Sequence, residues 1–174
     1  MVRLKQRYIL FDILYPPQND QDPDFVNFSN SPQEALIAMC QSSPASVNQK
    51  LITQVIRKVL QDHYGDMGAG AAGMSISVKY FNNKTSTGIL RCSRQSFQLV
   101  MSSLTLMNRI SNREVIVRCL HVSGTIKRCE EFAIKRNHDI MLQLKNIKST
   151  GVDVLLGNFA SGDDVIEMED NDQD

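Results

Sequence analysis

No stretch of this sequence approaches the apolar length of a membrane span, and the N-terminal run MVRLKQRYILFDILY is short in its apolar part and interrupted by Asp12. Secretion and membrane anchoring are therefore not expected. Cysteine is scarce: Cys40, Cys92, Cys119 and Cys129 form no CxxC pair, and His63, His121 and His138 lie far apart. Those spacings suggest neither a zinc site nor a disulfide framework, and the chain reads as intracellular and reduced. The glycines at 65, 68, 70 and 73 lack the Lys-Ser/Thr pair of a phosphate loop and do not lie between a strand and a helix, so they read as a flexible turn. No internal repeat and no nucleophile elbow is visible, and Asp62 with His63 reads as solvated surface. Positive charge is missing from one end, since no Lys or Arg follows Lys148.

The charge that is present is divided unevenly. The 19 basic and 19 acidic residues cancel, yet seven acids, Asp163, Asp164, Glu167, Glu169, Asp170, Asp172 and Asp174, occupy the last dozen positions. Up to residue 160 the balance is 19 basic to 12 acidic. A basic body suggests a polyanionic partner, whereas a like-charged terminal run reads as a disordered, solubilising tail. With 42% hydrophobic residues the chain can bury one core. The expected organisation is a single α/β sandwich domain over 1–148, with an inserted loop at 16–45, and an acidic disordered tail over 149–174.

Periodicity predicts the elements. Residues 3–15 form a strand closed by Pro16-Pro17, with Arg3, Lys5 and Arg7 on the face of Ile9, Phe11 and Ile13. A short helix is expected over 32–42, ended by Ser43-Pro44. Apolar residues at 47, 51, 55 and 59, flanked by Ile52, Ile56 and Leu60, predict a helix over 46–64 with Ser46 as cap. Met74, Ile76, Val78 and Tyr80 alternate against Ser75, Ser77 and Lys79 in a second strand, and Thr87–Cys92 returns as a third. A helix from Ser93 to Met107 and a strand from Glu114 to Val122, apolar on both faces, follow. The last helix is expected from Thr125 to Lys145, burying Ile126, Cys129, Phe132, Ala133 and Ile140, with a Glu131–Lys135 pair. The order βαββαβ defines a ferredoxin-like, RRM-like two-layer α/β (α+β) sandwich with a four-stranded antiparallel sheet, strand order 4-1-3-2, plus additional helices.

That topology gathers chemistry at one rim. In the stretch CLHVSGTIKRCEEFAIKR, Lys127 and Arg128 occupy a helix start, where the macrodipole and free N–H groups disfavour cations and favour anions. A capping role for Ser123 or Thr125 is the plainer alternative. The strand order brings Arg3 and Lys5, Arg91 and Arg94, and Ser123, Thr125, Lys127 and Arg128 together from three adjacent strands. Six cations beside two helix starts fit an extended phosphate backbone better than one small anion. These eight residues are the candidate RNA-binding set. The third strand offers no aromatic, so base stacking is not expected and backbone contacts dominate. Cys119, His121 and Ser123 alternate on one strand face, but with no acid partner for His121 they read as core residues rather than catalytic ones. A metabolite-binding regulatory domain of the same fold stays open as an alternative.

Four runs, MVRLKQRYILFDI, KYFNNKTSTGILRCSR at 79–94, LTLMNRI at 104–110 and HVSGTIKRCEEFAIKRN at 121–137, resemble the Pop-five family of protein subunits of nuclear ribonuclease P and ribonuclease MRP, fungal type. The likeness covers residues 1–15 and 46–145. It implies an RNA-binding subunit without a catalytic site of its own, in a nuclear and nucleolar complex whose RNA performs the cleavage with Mg2+ at the RNA active site, maturing precursor tRNA 5′ ends and cutting precursor rRNA. It further implies as partners the ribonuclease P and ribonuclease MRP RNAs, a TIM-barrel-like subunit of the Rpp-thirty type and other subunits, with no metal, no cofactor and no membrane bound by this chain. A generic RNA-binding scaffold outside these complexes is the nearest alternative.

Overall fold

Strand β1, Gln6–Leu14, is the hub of the fold because it is apolar towards both faces of the sheet. In this computed structural model, residues 5–17 and 32–142 are described. Arg3, residues 18–31 of the expected insertion, the end of the last helix beyond 142 and the acidic tail lie outside them. The chain divides into two compact units, Met1–Ala133 and Ile134–Asp174. The sandwich lies in the first, and the described part of the second, 134–142, is helical.

After β1 come helix α1 (Pro32–Met39), helix α2 (Gln49–Gly73), strands β2 (Ser77–Asn82) and β3 (Thr87–Ser93), and helix α3 (Phe97–Leu106). A two-stranded ribbon, β4 (Arg109–Ile110) with β5 (Arg113–Glu114), precedes β6 (Ile116–Ser123), and helix α4 starts at 126 and continues through 142. The main sheet has the order β2-β3-β1-β6 with every neighbouring pair antiparallel, which is the expected 4-1-3-2 arrangement. Ile9, Phe11, Ile13, Leu90 and Val117 point to the side of α2 and α3, and with Ile52, Ile56, Leu60, Val100 and Leu104 they make the main core. On the other face Leu10 and Ile89 pack with Cys129 and Ala133 of α4. The start of the helix added after the βαββαβ unit, residues 126–133, therefore lies over part of the sheet's second face.

Five local expectations change. Helix α2 is capped by Asn48, not Ser46: its Oδ1 accepts the Leu51 N–H at 2.8 Å. The glycine run does not end that helix. Gly65 takes φ 61°, ψ −161°, a conformation open essentially to glycine alone, and the helix resumes through the small residues Gly68, Ala72 and Gly73, which are buried. The strand expected from Glu114 starts at Ile116, because Arg109–Glu114 turns back on itself at Ser111, φ 55°. In α4, Cys129 is buried, but Ile126 and Phe132 stay more than a third exposed. Glu131 pairs with Lys127, at 3.9 Å.

Gly88 shows how tightly the sheet faces its core. It is the cross-strand partner of both Phe11 and Phe81, whose rings stack at 6.4 Å between centroids. A β-carbon at 88 would run into both rings. Gly88→Ala is accordingly expected to lower stability by about 2 kcal/mol through overpacking, read as a lower urea midpoint with an unchanged slope.

Candidate nucleic-acid interface

The rim forms because β1 begins where β3 and β6 end. The Arg94 N–H donates to the Lys5 carbonyl at 3.0 Å, Arg7 pairs with Cys92, and Tyr8 pairs with Ser123. Lys5, Arg94 and the Ser123–Arg128 turn therefore share one end of the sheet. Lys5, Arg94 and Arg128 are exposed. No hydrogen bond or ion pair of their side chains occurs among the described residues, in contrast to arginines elsewhere. Arg118 grips Asp12, Arg57 donates to the Gly73 carbonyl, and Arg113 lies over the Tyr15 ring. Those three cations are used internally, while Lys5, Arg94 and Arg128 keep their charge available to an outside anion.

The eight sequence candidates do not behave alike. Ser123 is 7% exposed and its Oγ accepts the Thr125 N–H at 3.3 Å, so it serves the turn into α4. Thr125 is exposed. Lys127 shares its charge with Glu131, which leaves Arg128 as the freer cation of the two. Arg91 is half-buried and lies inward from the rim, opposite Tyr8 and Ser77, on the face that α4 partly covers. Its Nε is buried and meets no acceptor. Arg7, absent from the candidate set, belongs to the rim: its guanidinium packs beside Gly124, 3.5 Å from where a β-carbon would stand. The alternation of Arg3, Lys5 and Arg7 was the signal for it.

Cys119 and His121 do not meet. A bulge in β6 makes Leu10 face His121 and Phe11 face Cys119, so the intervening Leu120 is extra. Cys119 then joins the main core, while His121 stacks on Phe132 of α4 at 4.6 Å. Burial, aided by the charge of Asp12, pushes the Cys119 thiol up to about 11. Burial also raises Cys92 to about 11 against the opposing field of Arg7. Both thiols stay protonated near neutral pH, the unreactive form. Grooves of 370, 440 and 490 Å³ border α2, β2 and the β4–β6 region, and no rim residue lines them.

A four-stranded antiparallel sheet of this order, with two helices on one face and exposed cations at the end of the sheet where β1 starts, defines a ferredoxin-like α/β sandwich with a basic end. The chain belongs to the Rpp14/Pop5 family, whose model matches residues 7–134. It is 41% identical over 163 residues to the ribonuclease P/MRP protein subunit POP5 of Saccharomyces cerevisiae, covering 91% of this chain and 92% of that protein. Its identity to the POP5 subunit of Schizosaccharomyces pombe is 39%, over 82% of this chain and 95% of that protein. The human POP5 subunit is 28% identical over 87% of this chain and 82% of its own length.

Proposed function

We propose that this chain is a protein subunit of the ribonuclease P and ribonuclease MRP ribonucleoproteins, where it binds and stabilises the catalytic RNA through its basic rim. The supporting observation is the set of exposed cations, Lys5, Arg94 and Arg128, at one sheet end, without side-chain partners among the described residues, in a chain whose relatives at 41% and 39% identity are named as subunits of those complexes. The chain does not itself cleave RNA. Its buried thiols are protonated and its one Cys-His pair on β6 is split between two faces. Phosphodiester cleavage in precursor tRNA and precursor rRNA then falls to the RNA with its Mg2+ ions, and the protein neutralises backbone charge that would otherwise oppose a compact RNA fold. Its setting is the nucleus and nucleolus, and its protein neighbours are other subunits, among them a TIM-barrel-like subunit of the Rpp-thirty type.

Purifying the tagged full chain from cells at low salt is expected to recover one structured RNA in stoichiometric amount, released as salt is raised. Recovery of the protein with no RNA would overturn the assignment.

A further inference from the structure

Strict alternation puts Tyr80 in the core with Ile76 and Val78, but a bulge in β2 reverses it. Val78 pairs with Leu90 and Tyr80 with Ile89, so Lys79 is the extra residue between them. Val78 and Phe81 join the main core, whereas Tyr80 comes out beside Ile89 on the other face and is 49% exposed. Diagonal to it on that face is Arg91, which stands between Ser77 on β2 and Tyr8 on β1. Helix α4 covers Leu10 and Ile89 through Cys129 and Ala133, and it leaves Tyr80 and Lys79 in solvent. The face thus offers an open aromatic ring, an exposed ammonium and a guanidinium with no carboxylate partner among the described residues. No Asp or Glu occurs on β2 or β3.

An isolated phosphate would use the two cations and ignore the ring. A planar base joined to a phosphate uses all three, the base on the ring and the phosphate on the charges. We propose that Tyr80, Arg91 and Lys79 form a stacking site for one unpaired nucleotide of single-stranded RNA, an inference that rests on the RNA-binding role above. Arg91 on β3 and Arg94, the first residue past its end, are three residues apart, roughly 10 Å along an extended chain, so an RNA strand leaving the rim passes onto this face.

The test uses the full chain and a twelve-nucleotide oligoadenylate carrying one 2-aminopurine, with affinity measured by anisotropy at several salt concentrations and stacking by 2-aminopurine quenching. Tyr80→Ala is expected to weaken binding about tenfold and remove the quenching while the salt slope stays unchanged. Tyr80→Phe keeps the ring and stays within about twofold of the wild type. Arg91→Ala lowers the slope by about 0.7, one phosphate on a single strand. Equal melting temperatures check that the variants fold. If Tyr80→Ala binds and quenches like the wild type while the rim variant Lys5, Arg94, Lys127 and Arg128→Ala loses affinity, the stacking site is wrong and the rim stands. If the wild type does not bind the oligonucleotide, the stacking site is equally overturned, and the RNA recovered from cells decides the rim separately.

Discussion

Changing Lys5, Arg94, Lys127 and Arg128 together to alanine is expected to weaken binding of the RNA that accompanies the protein by roughly 500-fold in 0.1 M salt. About three phosphate contacts are lost, because Lys127 already shares its charge with Glu131 at 3.9 Å. Each neutralised phosphate releases about 0.9 counterion from a duplex, so the log–log salt slope should fall by about 2.7 and the affinity by the matching power of the salt concentration. Stability should barely change, since all four side chains are exposed and none joins either hydrophobic cluster. Affinity and slope are read together from titrations at four salt concentrations with the RNA transcribed in vitro. A drop in affinity with an unchanged slope would mean that the cations act through the fold and not on phosphates. No change in either would remove the rim as an RNA contact.

The largest expected loss of stability comes from Asp12→Ala. Asp12 is 4% exposed on the hub strand, and Arg118 of β6 holds it with two hydrogen bonds, Nε to Oδ1 at 3.1 Å and Nη2 to Oδ2 at 2.6 Å. This fork ties the two strands together on the face towards α4, and the hydrogen bond to Asp12 raises the Arg118 pKa further above its ordinary value. Removing the carboxylate leaves a partly buried guanidinium without its acceptor. The cost is about 3 kcal/mol, at the low end for a broken buried pair because the Arg118 side chain is 32% exposed. That corresponds to a melting temperature lower by roughly 10 °C. Adding Arg118→Met should return most of the loss, since an apolar stem can pack where an unpaired cation cannot. A double-mutant cycle by thermal unfolding measures this, and an Asp12→Ala variant within about 1 kcal/mol of the wild type would contradict it.

Much of the candidate rim was legible before any coordinates. The 3.6-residue and 2-residue periods give the order of strands and helices, and short connections between them leave few ways to arrange the sheet. Once β1 is central and antiparallel to β3 and β6, its start must lie beside their ends, so Lys5, Arg94 and Thr125–Arg128 fall together. Arg7 was visible in the same alternation, but nothing local announced that it packs against Gly124. The partner of Asp12 was not legible at all, because it lies 106 residues away.

By itself the sequence determined the fold class, the strand order and the segregation of charge, since all three follow from patterns repeated along the chain. The tertiary structure alone decided which cations are used internally and which stay free, because that depends on contacts distant in sequence. It also decided where alternation fails. A bulge is a property of two strands in register rather than of one strand, and the two bulges turn Tyr80 outward and carry Cys119 away from His121. Helix α2 passes its glycines for a similar reason: Gly65 supplies the one backbone conformation that lets the chain bend, and burial of Gly68, Ala72 and Gly73 holds the continuation that helix propensity disfavours.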